Sequence, residues 1–231
     1  MSINPILSEH ILTLATTRFY LLMRPEETTS FRRFINLFIG ADNDLFHNHK
    51  SKTDYHYRYP LVQYKVYDDN AALMGIAQSG VAALNSLLEN TDFRERCTEW
   101  IGEQFAISEE TTDTLTLHTT PLLSYRLSNY IALNATNLAE WHDHPTLLAR
   151  TSLLEKCIVG HILKFASAIK WQLPPRSLQV QLLDYRSHTT RSFGNQFMAF
   201  DVLFRSNITL PEGIGLGKAV SHGFGIVMCA E

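Results

Sequence analysis

Five glycines within sixteen residues near the C-terminus limit what this chain can form more than any other segment. They are Gly213, Gly215, Gly217, Gly223 and Gly225, out of 11 in the whole protein. Glycine permits backbone conformations and close approaches that a Cβ atom forbids, so residues 210–225 are predicted to form a loop. Only six residues follow Gly225, which is too few for a helix but enough for one last strand at 224–229.

The spacing of these glycines excludes the two common nucleotide-binding motifs. A P-loop needs a glycine five residues before Gly217-Lys218 and a Ser or Thr after the lysine, and Glu212 and Ala219 occupy those places. A dinucleotide fingerprint also fails, because the required last glycine is replaced by Lys218 or Val220. Two interpretations stay open on these residues: a cradle of backbone N–H groups and Lys218 for a phosphodiester, or a tight structural connection.

The order of predicted elements indicates the fold of the first half. Strands are predicted at 11–24, 59–67, 71–77 and 105–118, with a turn at Asp68-Asp69-Asn70. One helix, capped by a residue of 28–30, carries Phe31, Phe34, Ile35 and Phe38, and a second, capped by Ser79, carries Val81, Leu84 and Leu88. The order β-α-β-β-α-β is that of a ferredoxin-like domain, the frame that RRM domains also use.

The second half repeats this order in part. We predict a strand at 121–133, a helix at 146–170 that buries Leu147, and strands at 178–185 and 197–205 joined by a basic connection from Arg186 to Arg191. The glycine-rich loop stands where the second helix would be. The sequence therefore predicts an α+β fold of two tandem ferredoxin-like domains, residues 1–118 and 119–231, the second degenerate and carrying the loop at 211–225.

Composition narrows the function classes. No apolar run of 18 residues and no signal-peptide pattern occur, so a soluble, cytoplasmic protein without a membrane partner is expected. Three scattered cysteines without a C-x-x-C pair predict buried thiols rather than disulfides or a zinc framework. The net charge is −3, but basic residues gather at 47–67 and 156–222 and acidic ones at 92–113, so RNA could bind one face.

A segment rich in histidine precedes the second predicted strand. Residues 44–59 hold three of the ten histidines, with Lys50, Lys52 and Arg58 beside them. RNA cleavage without a metal needs a base for the 2′-hydroxyl, an acid for the departing 5′-oxygen and positive charge near the phosphate. In an extended segment His47 and His49 would point to the same side. A His-x-His pair supplies only two ligands, so neither a metal nor a cofactor is expected.

These two stretches together resemble the CRISPR-associated endoribonucleases that cut precursor CRISPR RNA within its repeats, the glycine-rich-loop type of the RAMP superfamily. The C-terminal match reads as strand 202–207, Leu210-Pro211, the loop around Gly217-Lys218, and Ser221-His222-Gly223-Phe224-Gly225. The N-terminal match is a pair of histidines one residue apart before Tyr-Pro-Leu-Val-Gln-Tyr-Lys at 59–65. The resemblance covers essentially the full length.

The resemblance implies a metal-independent endoribonuclease whose products carry a 2′,3′-cyclic phosphate and a 5′-hydroxyl. It implies His47 and His49 as acid and base, and other branches of the family suggest Lys52 and Tyr55 as further candidates. The residues expected to bind RNA are Lys50, Arg186, Arg191, Gly215, Gly217, Lys218, Ser221 and His222. A non-catalytic RNA-binding subunit of an interference complex is the alternative, a small-molecule-binding ferredoxin-like protein is a third hypothesis, and a homodimer stays open.

Overall fold

The chain forms two compact units. The computed structural model describes residues 6–39, 44–47, 58–143, 146–192 and 194–230. The N-terminal unit comprises residues 11–113 together with Ser221–Gly223. The C-terminal unit comprises Thr114–Val220 and the end of the chain from Phe224, together with the chain up to His10. Three residues of the glycine-rich stretch thus belong to the N-terminal unit, although the rest of that stretch belongs to the C-terminal one.

The N-terminal unit is built on a four-stranded sheet in the order β2-β3-β1-β4. Its elements are β1 (Ile6–Leu22), α1 (Thr28–Ile35), α2 (Asp44–His47), β2 (Val62–Tyr67), β3 (Asn70–Ile76), α3 (Ala77–Glu89), α4 (Thr91–Ile101) and β4 (Ala106–His118). The predicted β2–β3 hairpin is confirmed, since Asp68 and Asp69 both have positive φ, as the tightest hairpin turns require.

One apolar core fills the helix-covered face of this sheet. Phe19 of β1, Phe31 of α1 and Tyr64 of β2 meet there, with Leu84 of α3 and Phe93 of α4. The aromatic rings meet mainly edge-on, which is a favoured arrangement for pairs of this kind. Ala15 and Phe19 of β1 and the helically spaced apolar residues of α1 and α3 therefore contribute to a single cluster.

The C-terminal unit has the same sheet topology, in the order β6-β7-β5-β8. Its elements are β5 (Leu123–Tyr130), α5 (Ala135–Asp143), α6 (Leu147–Ala168), β6 (Val180–Ser192), β7 (Asn195–Ser206) and β8 (Ile226–Cys229). A 3-10 turn at Val220–His222 lies between β7 and β8 in sequence, and its last two residues belong to the N-terminal unit. The predicted α+β fold of two ferredoxin-like domains is confirmed. The second copy has the glycine-rich stretch between its third and fourth strands, as predicted.

Three helices and two helix starts differ from the prediction. Helices α2, α4 and α5 were not predicted. Helix α3 begins at Ala77, where Ile76 precedes it and no side chain caps it. Helix α1 follows a 3-10 turn at Pro25–Glu27 without a side-chain cap, because the Thr28 hydroxyl donates to the Pro25 carbonyl instead (2.7 Å). The predicted caps at 28–30 and Ser79 are therefore wrong.

The basic connection predicted from Arg186 to Arg191 is also wrong, because these residues lie inside strand β6. They pair in continuous register with β7, from Arg186 opposite Asp201 to Arg191 opposite Gln196. Polar residues are tolerated on both faces here because β6 is an edge strand and its side chains remain at least partly exposed.

The structure tests the burial predicted for Leu147 and for the three cysteines. Leu147 was expected to be buried but is 69% exposed at the first position of α6. Cys97 and Cys157 are buried as expected, whereas Cys229 is exposed.

Of the described helices, none combines the length and the hydropathy that crossing a bilayer needs.

Candidate functional site

The glycine-rich stretch folds back on its own unit through backbone hydrogen bonds. The N–H groups of Gly213 and Leu216 donate to carbonyls of Val227 and Gly225 (2.9 and 2.8 Å), and Lys218 N–H donates to Ile131 (3.0 Å). These three amides are therefore occupied inside the protein, and they are not the bare N–H groups that a phosphate cradle would use. The interpretation as a tight structural connection holds for this part of the stretch.

Close packing explains the need for glycine at two positions of this loop. Gly217 has a φ of +102°, and a Cβ there would lie 2.7 Å from the Tyr130 ring. A Cβ at Gly225, where φ is +64°, would overlap the Leu216 carbonyl. Larger residues would meet both backbone strain and overlap at these sites. The predicted roles of Gly215 and Gly217 in binding RNA stay predictions, and packing alone accounts for the glycine at 217.

Lys218 and Lys164 lie near each other in the C-terminal unit, and these two lysines are called the cationic cluster. Burial and the nearby Lys164 lower the pKa of Lys218. The same two lysines and, above all, burial lower the pKa of His161 to about 4. His161 Nδ1 lies 2.6 Å from the Tyr130 hydroxyl, so this imidazole is held in place by a hydrogen bond within the protein. An anion close to these two lysines would reduce their mutual repulsion.

Ser221 and His222 lie in the N-terminal unit, next to helix α1. Arg32 Nη1 donates to His222 Nε2 (2.6 Å) and reaches Ser221 Oγ (3.5 Å). The other terminal nitrogen of Arg32 donates to the carbonyl of Phe46 (2.9 Å), and the guanidinium lies 5.8 Å from the centre of the Tyr64 ring. Arg32 therefore connects the end of the glycine-rich stretch with α2.

Burial and the contact with Arg32 determine the protonation state and the tautomer of His222. The side chain is 6% exposed, and burial followed by the charge of Arg32 lowers its pKa to about 4. A guanidinium can only donate, so Nε2 of His222 accepts and the ring proton resides on Nδ1. His222 is thus neutral at pH 7, with one nitrogen already engaged by Arg32. Its predicted contact with RNA stays a prediction, and that contact would have to use the opposite edge of the ring.

The histidine-bearing segment is described only at its start. Residues 44–47 form the short helix α2, Phe46 is buried, and the backbone of His47 ends the helix. An extended conformation that begins at His47 is therefore wrong, and the argument from strand alternation does not apply to that residue. The side chain of His47 lies outside the described part of the chain, as do His49, Lys50, Lys52 and Tyr55.

The other predicted RNA-binding residues, Arg186 and Arg191, are exposed on strand β6. They are five residues apart in a regular stretch, so their side chains point to opposite faces of the sheet. Arg191 lies on the face of Tyr185, whose ring contacts Trp141 of helix α5. One face of this edge strand therefore presents only one of the two arginines.

Sequence reasoning missed two residues of the N-terminal unit, Arg32 and Lys65. Lys65 of β2 is completely buried, which lowers its pKa to about 7, and its Nζ has no hydrogen-bond partner within the described residues. Lys65 ends the Tyr-Pro-Leu-Val-Gln-Tyr-Lys stretch, whereas no pattern pointed to Arg32.

Across the described ranges, no group of three or more His, Cys, Asp or Glu residues could hold a metal ion.

Comparison with known proteins gives the family. Residues 10–111 match the model of the Cas6b N-terminal domain, and residues 117–230 match that of the Cas6b C-terminal domain. An uncharacterized protein of Methanocaldococcus jannaschii is 32% identical over 111 residues, which are 48% of this chain and 74% of that protein.

Solved structures agree on the fold. A crystal structure of Cas6b superimposes with a TM-score of 0.79 at 22% identity, covering 96% of this chain and 100% of that one. The crystal structure of the CRISPR RNA processing endoribonuclease Cas6b gives 0.73 at 20% identity, with the same coverage of both chains. The two family models together span nearly all of the sequence. The chain belongs to the Cas6b family.

Proposed function

We propose that this protein is an endoribonuclease that cuts precursor CRISPR RNA within its repeats. Membership in the Cas6b family carries this proposal, because similar proteins of this fold include one described as a CRISPR RNA processing endoribonuclease. The cationic cluster at Lys218 and the exposed arginines of β6 add surfaces suited to an RNA backbone.

The proposed reaction is an internal transesterification without a metal ion. One imidazole of the pair His47 and His49 takes the proton of the ribose 2′-hydroxyl, and the 2′-oxygen forms a bond to phosphorus. The bond between phosphorus and the 5′-oxygen breaks, and the other imidazole gives its proton to that oxygen. Lys50 or Lys52 neutralises the phosphorane, with Tyr55 as a further candidate in proton transfer. The products are a 2′,3′-cyclic phosphate and a 5′-hydroxyl.

Repeat RNA incubated with the protein in excess EDTA tests this mechanism. We expect cleavage to persist in EDTA, and His47→Ala and His49→Ala each to lower the single-turnover rate by about 10²- to 10⁴-fold, the usual contribution of an acid or base. RNA affinity should be retained in both variants.

His142→Ala is the matched control for this experiment. His142 also begins a His-x-His sequence but lies exposed in the last turn of α5, so its replacement should leave the rate unchanged. Binding of RNA without cleavage by the wild-type protein would support the non-catalytic subunit instead. An absence of salt-dependent RNA binding would exclude both RNA functions.

Two assemblies are compatible with this proposal, a homodimer and a larger CRISPR interference complex. Light scattering of the protein with and without repeat RNA separates a monomer from a dimer. Co-purification with other proteins of an interference complex tests the second assembly.

A further inference from the structure

Arg32 joins two segments of the N-terminal unit that are far apart in sequence, one at Phe46 and the other at His222. Its guanidinium holds the carbonyl of Phe46 with one terminal nitrogen and the imidazole of His222 with the other. Phe46 directly precedes His47, and His222 belongs to the C-terminal part of the glycine-rich stretch. A single planar side chain therefore sets the separation between the start of the histidine-bearing segment and residues 221–223.

The environment of Arg32 favours a role in geometry over a role in binding phosphate. The guanidinium is partly covered and lies over the Tyr64 ring, and burial lowers its pKa. Both terminal nitrogens already donate to protein acceptors, at 2.6 and 2.9 Å. An arginine fork can satisfy two acceptors in fixed directions at the same time, whereas a lysine ammonium lacks that rigid fork.

We propose that Arg32 is a positioning residue for RNA cleavage, which fixes His47 relative to the end of the glycine-rich stretch. This inference rests on the proposed function for its consequence, but its structural content is independent of it. The neutral His222 serves in this arrangement as the acceptor that anchors residues 221–223 to α1. The Phe46 carbonyl serves as the corresponding anchor for α2.

The test compares Arg32→Ala and Arg32→Lys with Arg33→Ala. Arg33 is the next residue of the same helix, is exposed, and carries the same charge, so it controls for the loss of one cation from α1. We expect Arg32→Ala to lower the single-turnover rate at saturating protein by about 10²-fold, the cost of misplacing a reacting group by about 1 Å. Arg32→Lys should recover little of this rate, and all three variants should bind repeat RNA with similar affinity.

Hydrogen exchange of the free proteins supplies a readout that does not depend on cleavage. The amides of residues 45–47 and 221–223 should lose protection together in Arg32→Ala and Arg32→Lys, but not in Arg33→Ala. Nitrogen NMR of wild-type His222 should show the proton on Nδ1, and this preference should weaken in Arg32→Ala.

These outcomes separate the two proposals. If the wild-type protein cleaves RNA and Arg32→Ala cleaves as fast as Arg33→Ala, the positioning role is overturned. If the wild-type protein does not cleave, the proposed function fails, and hydrogen exchange alone decides about Arg32. Exchange rates of Arg32→Ala that match those of Arg33→Ala at both segments would then overturn the inference.

Discussion

The two units share one strand order but fill the interval between their third and fourth strands differently. The N-terminal unit places α3 and α4 there, which bury Leu84 and Phe93. The C-terminal unit places the glycine-rich stretch there, and it buries Ile214 and Leu216 completely. A loop can therefore supply the apolar side chains that a helix supplies. Its backbone hydrogen bonds then go to neighbouring segments, and glycine is needed where the chain folds back most tightly.

The edge strands of the two sheets differ as well. Strand β2 is largely buried, and a Cβ at Gly223 would come within 3.5 Å of the Tyr64 carbonyl, so residues 221–223 lie beside β2. Strand β6 is the edge strand at the equivalent position, and it has no fully buried residue whose burial the structure describes. Residues 221–223 thus lie against part of the β2 edge, whereas no described strand pairs with the outer edge of β6.

The largest effect on stability is expected from Gly225→Ala, because the glycine-rich stretch leaves no room for a Cβ atom at Gly225. A left-handed conformation costs about 1–2 kcal/mol for a residue with a Cβ, and the overlap with the Leu216 carbonyl adds to it. We expect the free energy of unfolding to fall by more than about 3 kcal/mol in urea titrations.

Gly160→Ala is the control for this substitution. Gly160 lies within α6, and a Cβ at this position would have no neighbouring atom within 4 Å, so alanine should raise stability by up to about 1 kcal/mol. Equal stabilities of the two variants would show that the loop relaxes freely and is not part of a packed core.

Leu216→Ala and Leu84→Ala compare the loop core with the helix core directly. Both leucines are completely buried, at 0% exposure. Each truncation should cost about 2–5 kcal/mol, because it removes buried methyl groups and leaves a cavity. Urea unfolding of the two variants measures this. A cost below about 1 kcal/mol for Leu216→Ala alone would mean that the loop covers the sheet without packing on it.

The parts of the fold that follow from local patterns were predictable from the sequence. The alternation in β1 and β2, the Asp68-Asp69 turn and the apolar spacing of α6 indicated the order of elements along the chain and the fold class. Two of the missed helices carried a signal as well, since Asn90 caps α4 by accepting from Phe93 N–H and Asn134 accepts from Asn137 N–H before α5. Asparagine is a preferred helix cap, so both starts could have been found.

The site was less predictable because its contacts are not local. Arg32 meets His222 across 190 residues, and no spacing or composition rule connects them. The strand β6 was also missed between Arg186 and Arg191, because polar residues on both faces of an open edge strand lack the apolar alternation that marks a half-buried one. Patterns of apolar residues indicate burial, so they do not mark a strand whose residues are polar on both faces.

Among the described residues, His161 of the C-terminal unit and His222 of the N-terminal unit are neutral at pH 7 because their pKa values are lowered, so acid should destabilise both units. The pKa of His161 is lowered to about 4 by burial, Lys164 and Lys218, and that of His222 to about 4 by burial and Arg32. Between pH 6.5 and 4 the unfolded chain binds more protons at these sites, so stability falls as the pH falls. From pH 7 to pH 5 the loss should be about 2 kcal/mol per histidine.

Urea titrations of His161→Phe and His222→Phe across this pH range check the expectation. Each variant should lose about half of the acid sensitivity that the two histidines supply, whatever its absolute stability. A pH dependence identical to that of the wild-type protein in either variant would show that its imidazole titrates normally in the folded state.

The smallest effects concern the open edge strand, through Arg186→Ala and Arg191→Ala. Each arginine neutralises at most one phosphate, and its loss lowers the slope of log affinity against log salt by about 0.7 for single-stranded RNA. The two side chains point to opposite faces of β6, so RNA that lies on one face contacts only one of them. We therefore expect unequal effects, with one variant weakened by less than about tenfold and the other unchanged.

Salt titrations of RNA binding measure this difference, with Arg94→Ala as the control. Arg94 is exposed on α4 within the acidic region at 92–113, so its loss should change neither affinity nor slope. Equal losses in both β6 variants would mean that RNA runs along the edge of the sheet and reaches both faces. No loss in either would mean that the open edge does not bind RNA, and the contrast between a closed and an open edge strand would then have no role in recognition.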